Sequence, residues 1–236
     1  LPFTINGKLE NHGGATTIYL SVLSGNEFIP YDTASVNGQG EFLFEGEIQQ
    51  PDIYRVSLEN GNGFVMVIDA PNIELRADMD DIDNYHVCGS DESVLMKELF
   101  QAEVDYVKAV SELEKKFVLA RNAGHSDSLL YYQERYQDLQ RAYTAGKKDF
   151  IRAHPRSFVA AYATHSLLDE GAHEAFIDSM LVLFNNEIPQ SRYVQLLNDA
   201  KKAGAEVSVG AVAPDISLPQ PDGTPLSLSS LKGKYV

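Results

Sequence analysis

The sequence predicts an α+β chain: an N-terminal antiparallel β-sandwich, then a helical region made of one long helical hairpin and three shorter helices, then a short hairpin that opens a further sheet. Three observations predict it. Residues 3–88 hold short alternating apolar runs broken by glycine-rich turns. At Gly89-Ser90-Asp91-Glu92 the apolar period changes from two to three and four. Residues 216–228 then return to a period of two.

The strands are expected at 3–9, 17–23, 27–36, 41–48, 53–59, 64–68, 73–77 and 82–88. Ile18, Leu20 and Val22 share one face, as do Phe42 with Phe44, and Tyr54, Val56 and Leu58. Turns are read at 11–14, Ser24-Gly25-Asn26, Asn37-Gly38-Gln39-Gly40 and Asn60-Gly61-Asn62-Gly63, at the spacing of an all-β sandwich. Pro51 and Pro71 stand at strand entrances, where a missing N–H does little harm.

Beyond residue 90, Leu95, Leu99, Ala102, Tyr106, Ala109, Leu113, Phe117 and Ala120 form one helical stripe that Asn122-Ala123-Gly124 ends. Ser126 or Asp127 is expected to cap a second helix carrying Leu129, Tyr132, Tyr136, Leu139, Tyr143 and Phe150, stopped by His154-Pro155. Two stripes joined by a short link predict an antiparallel helical hairpin. Shorter helices are expected at 157–168, 172–184 and 189–203, the last with Pro189 in its first turn, and a linker at 201–209.

Lys and Arg total 19 against 34 for Asp and Glu, a formal charge of −15 that repels phosphate backbones, so nucleic acid is not expected as a partner. Residues 1–90 hold 14 acidic and 3 basic side chains, a bias that predicts a domain boundary near residue 90: a sandwich domain at 1–90 and a helical domain at 91–203. No apolar run reaches the ~18 residues of a membrane span. Leu1-Pro2-Phe3-Thr4 lacks a charged n-region and an apolar h-region, so no signal peptide is read there.

In the last stretch, Ile216 and Leu218 alternate with Ser217 and Pro219, Pro221-Asp222-Gly223 supplies a turn, and Leu226 and Leu228 resume the period. Ser229 or Ser230 is expected to cap one helical turn that Gly233 ends, with Lys234-Tyr235-Val236 starting a strand. A strand without its sheet leaves backbone groups unpaired, so Val236 reads as a cut point inside a domain. With Val209, Gly210, Ala213, Pro214, Asp215, Leu231 and Lys234, this stretch resembles the lead-in to a thioredoxin-like domain of the AhpC/TSA and TlpA/ResA type. That resemblance makes 204–236 a linker and the truncated start of such a domain. Earlier, Ile5, Gly7, Ile18, Leu20, Asp32, Gly38, Phe42, Phe44, Gly46, Pro51, Tyr54 and Gly89-Ser90 are similar to the uncharacterised β-domain that precedes thioredoxin-like modules in envelope proteins of Gram-negative bacteria. His154-Pro155-Arg156-Ser157 matches the His-Pro-x-Ser helix start of the same arrangement.

Few residues invite chemistry. Cys88 is the only cysteine, so no dithiol centre exists in the chain. His86 and Cys88 share a strand face and form half a zinc site, but without further ligands Cys88 reads as a buried, inert thiol. Asp78, Asp80, Asp81 and Asp83 suggest calcium, yet the EF-hand spacing fails and a solvated turn is expected. His173-Glu174 begins a zincin-like pattern that Ile177 breaks, His165 sits alone on a helix, and His154 reads as a helix-end residue. Gly38-Gln39-Gly40 and Gly61-Asn62-Gly63 are hairpin turns without the helix a phosphate loop needs. Tyr132, Tyr136 and Tyr143 either pack as core or line a groove for a partner.

No catalytic, cofactor or metal residue is therefore assigned within the chain. The resemblance implies a thiol–disulfide oxidoreductase of the periplasm or cell envelope, with a lipid anchor an option for the full-length protein, whose cysteine pair lies beyond Val236 and whose partners are protein substrates or redox partners. Residues 1–208 would position the redox domain or select those partners. Two alternatives remain: a module binding protein, peptide or glycan for which a redox domain is secondary, and a peroxiredoxin-type peroxidase parent.

Overall fold

The structure, a computed structural model, describes residues 1–168, 172–206, 215–221 and 223–233. Eight strands come first: β1 (Pro2–Glu10), β2 (Thr17–Ser24), β3 (Glu27–Ser35), β4 (Glu41–Glu47), β5 (Asp52–Leu58), β6 (Gly63–Ile68), β7 (Asn72–Asp78) and β8 (Asp81–Cys88). They form two four-stranded sheets, in the orders β4-β1-β7-β8 and β3-β2-β5-β6. The predicted sandwich is thus present. One pairing departs from the antiparallel expectation, because β1 and β7 run parallel, with Ile5 opposite Ile73 and Gly7 opposite Leu75.

Alternation places Ile5, Leu9, Ile18, Leu20, Phe44, Val56, Met66, Ile68, Ile73 and Leu75 between the sheets, where each is essentially inaccessible. Gly7 leaves room for the Phe42 ring, which a Cβ there would meet at 1.9 Å. Gly89 turns the chain out of β8 at φ +86°, and a Cβ there would meet the Asn72 carbonyl oxygen at 2.3 Å.

Five helices follow: α1 (Asp91–Asn122), α2 (Ser126–Ala153), α3 (Phe158–His165), α4 (Glu174–Glu187) and α5 (Arg192–Glu206). A second core lies on the outer face of the β5–β6 edge, where Ile53 and Val67 meet Met96, Leu99, Ile151, Phe158, Val159, Phe184 and Val194. β6 is therefore apolar on both sides. Its outer edge is closed by the start of α1: Ser93 Oγ accepts from Val67 N (2.9 Å) and donates to Val67 O (2.8 Å). Ser90 Oγ in turn caps α1 by accepting from Ser93 N (2.9 Å). Arg192 adds a second tie, donating to Asp52 Oδ2 (2.8 Å) and Leu23 O (3.0 Å).

The predicted helical hairpin is α1 with α2. Its buried residues in α1 are Ser93, Met96 and Leu99 near the start and Ala120 at the far end. Between them the two helices share a single seam, in which Tyr106 stacks on Tyr143 at 4.4 Å. A two-helix arm has no third layer, so Val107, Val118, Leu119, Leu130 and Tyr131 stay exposed. No helix among the described residues is long and apolar enough to cross a membrane.

Several expectations need correction. Pro189 is not in a helical turn; it lies in the turn after Ile188, whose carbonyl accepts from Ser191 N, and α5 starts at Arg192. Residues 201–206 extend α5 instead of forming a linker, because Lys201 to Glu206 contains no helix breaker other than Gly204. The α2 cap position is His125, without a side-chain cap bond.

The last hairpin is β9 (Ser217–Pro219) with β10 (Pro225–Ser227), turned by Gly223 at φ +85°. A 3-10 turn at Leu228–Leu231 follows, with Ser227, and not Ser229 or Ser230, at its N-cap position and without a side-chain cap bond. Ser229 instead donates its N–H and hydroxyl to the two oxygens of Asp215, at 2.7 and 2.6 Å. Val209, Gly210, Ala213, Pro214, Asp222 and the strand expected at 234–236 lie outside the described residues.

Candidate functional site

The residues singled out from sequence do not converge. His86 and Cys88 do share the outer face of β8, opposite Arg76 and Glu74. Cys88 is exposed, which overturns its reading as a buried thiol: the alternation turns Tyr85 and Val87 inward and leaves 86 and 88 to solvent. Asp78 accepts from Asn11 Nδ2 (2.8 Å) and Asp80 N (3.0 Å), and these bonds pull its carboxyl below the usual range. Its neighbours Asp80, Asp81 and Asp83 are exposed, so the cluster is a solvated turn. Among the described residues, no group of three or more His, Cys, Asp or Glu side chains is placed to hold a metal ion.

The helical histidines have separate settings. His154 ends α2 with its ring 4.9 Å from that of Phe150, His165 lies against Tyr193, and His173 Nδ1 is 3.1 Å from Lys148 Nζ. Of the three tyrosines, Tyr143 packs in the seam, while Tyr132 and Tyr136 border a groove of about 610 Å³ with Leu113, Phe117 and Gln140. Tyr143 thus fits the packing reading, and the other two line a groove.

A different place gathers polar groups: a cleft of about 470 Å³ where the sandwich meets the helices. Its walls come from the β4–β5 loop (Gln50, Pro51), the end of β6 (Asp69), the first turn of α1 (Glu92), the start of α3 (Arg156, Phe158), and the α4–α5 turn (Glu187 to Ser191). That volume falls in the range of small-molecule and side-chain sites.

Each carboxylate in the cleft has a different fate. Glu92 is consumed by the N-terminus of α3, accepting from Ser157 Oγ (2.7 Å), Phe158 N (3.1 Å) and Val159 N (2.9 Å). Glu187 accepts from Arg156 Nε at 2.6 Å, on the wet side of the cleft. The contact that Glu92 N makes to Asp69 is long, 3.4 Å to Oδ2. Desolvation pushes its carboxyl up; Ser90 and the amides of Glu92 and Asp69 pull it back only in part, and Asp91 adds repulsion. Asp69 Oδ1 and Ser191 Oγ are both buried without a hydrogen-bond partner; the remaining such side-chain atom among the described residues is His12 Nδ1.

None of Asp69, Glu92, Glu187 and Ser191 was singled out from sequence as a site residue, and Arg156 was noted only within a helix-start pattern. They come from four segments over more than 120 positions, and no local spacing links them. The nearest signal is Glu92 itself, an acidic residue in a helix's first turn.

By fold and site, the chain is a β-sandwich fused to a helical unit, with a cleft at their junction. Residues 3–96 match a family described as a domain of unknown function (DUF4369); the match takes in the whole sandwich and the first turn of α1, less than half of the chain. A search of curated protein sequences finds no match to the chain.

Proposed function

We propose that the chain is the non-catalytic N-terminal region of a cell-envelope thiol–disulfide oxidoreductase, in which the sandwich and helices position a redox domain or select its partners. The observation that carries the reading is the last hairpin. β9 and β10, the Gly223 turn and the Asp215–Ser229 bonds form a compact unit whose apolar residues, Ile216, Leu218, Leu226 and Leu228, are exposed and free to pack on a further sheet. This is the unit whose residues resemble the lead-in to a thioredoxin-like domain. In that chemistry the first cysteine of a Cys-x-x-Cys loop, as a thiolate, attacks a substrate disulfide and releases one substrate thiol. The second cysteine then displaces the substrate's other sulfur, leaving the enzyme oxidised and the substrate reduced. Cys88 cannot do this alone, since a dithiol needs two sulfurs.

The coding sequence beyond Val236 tests the proposal: a Trp-Cys-x-x-Cys segment is expected within the next ~20 codons. A Pro-x-x-x-Thr-x-x-Cys segment there would replace it with peroxidase chemistry, and neither would sink both. A second reading, a binding module in its own right, draws on the cleft at the sandwich–helix junction. Retention of the same partners by this chain as by the longer protein would favour it.

A further inference from the structure

We infer that the cleft between β6, α1, α3 and the α4–α5 turn binds an organic cation, an ammonium or guanidinium group on an aliphatic stem, with Asp69 as its counter-ion. Two of the residues that line this cleft each carry a buried polar atom without a partner, Asp69 Oδ1 as a pure acceptor and Ser191 Oγ as donor and acceptor. The titratable groups around Asp69 are Asp91, Glu92, Glu187 and Arg156. Glu92 accepts from three donors and Glu187 accepts from Arg156, so Asp69 is the lining carboxylate that keeps an unpartnered oxygen.

A desolvated carboxylate of this kind is costly alone and is relieved by an opposite charge that brings its own N–H donors. Pro51, Phe158, Ile188 and Pro189 line the remaining wall with apolar surface, which suits a hydrocarbon stem. An anion is disfavoured, because the lining side chains carry three carboxylates against one guanidinium. Such a group can arrive on a free small molecule or as an Arg or Lys side chain of a partner protein, and the chemistry is shared.

The test uses the whole chain with n-butylguanidinium, n-butylammonium and the blocked peptide Ala-Ala-Arg-Ala-Ala, followed by amide chemical shifts in NMR titrations up to about 10 mM, well above a Kd of ~1 mM. Saturable binding is expected, with shifts centred on the amides of Asp69, Glu92 and Ser191. Saturation by the free amines marks a small-molecule site; saturation by the peptide alone marks a site for a partner's side chain. Asp69→Asn should weaken binding at least tenfold, and Gln190→Trp, which narrows the cleft from its exposed rim, should do the same. Glu112→Gln on the helical arm should not. Because the Asp69 carboxyl is pushed up in the fold, its charge lowers stability as pH rises, so Asp69→Asn should gain in melting temperature against the parent between pH 3 and pH 7. A purely structural Asp69 would give a loss instead. The proposal is overturned by absence of saturation with every probe, by equal binding of n-pentanoate, or by unchanged binding in Gln190→Trp, a variant that decides the matter even if Asp69→Asn does not fold.

Discussion

Replacing Ser93 by alanine should destabilise the chain far more than loss of a single hydroxyl normally does. Ser93 is fully buried, and its Oγ accepts from Val67 N, donates to Val67 O and receives the Ser90 hydroxyl at 2.7 Å. β6 is an edge strand of its sheet, so the outward N–H and C=O of Val67 have no strand to pair with. Without Ser93 Oγ, Val67 N is stranded in a buried position, and Val67 O keeps only the Ser90 hydroxyl at 3.2 Å. An unsatisfied buried backbone group costs about 1–3 kcal/mol. At this size each kcal/mol is worth about 2–4 °C in melting temperature. The assay is urea unfolding followed by circular dichroism, with Ser179→Ala on the exposed face of α4 as the reference. A double-mutant cycle with Ser90→Ala should show coupling, since the two hydroxyls share the Val67 carbonyl. A Ser93→Ala loss no larger than that of Ser179→Ala would refute the view that these serines graft the helices onto the sandwich edge.

Other outcomes follow from the same geometry. Cys88 is exposed and should react fully with a thiol reagent in the folded protein; labelling only after denaturation would restore the buried reading. Arg192→Met keeps the side-chain stem but strands Asp52, which is only 14% exposed, so about 1–3 kcal/mol should be lost in urea unfolding. A loss below 0.5 kcal/mol, of the order seen for surface pairs, would make the Arg192 tie incidental.

Much of the fold was legible because its periods are clean. All eight sandwich strands and all five helices fall within about three residues of where alternation and three-four spacing put them, and Gly89-Ser90 marks the switch between them. Two features were harder to read. The parallel β1–β7 pair joins strands more than sixty residues apart, and no turn chemistry announces such a pairing. The second core was hidden in Phe64-Val65-Met66-Val67-Ile68, where unbroken apolarity instead of alternation signals a strand covered on both faces. Cys88 was misjudged by residue type when its own strand's alternation with Tyr85 faced it outward. Pro189 was misplaced because proline suits a first helical turn and a tight turn equally well. The cleft could not be read at all, since Asp69, Glu92, Glu187 and Ser191 are brought together only by the docking of α1, α3 and the α4–α5 turn on the edge of β6.

The functional proposal is tested most directly by a disulfide-reduction assay on this chain and on the protein continued past Val236. The account predicts no turnover by residues 1–236, whose one thiol is Cys88, and turnover by the longer protein that disappears when the first cysteine of its pair is replaced. Measurable turnover by residues 1–236, or none by the longer protein, would contradict it.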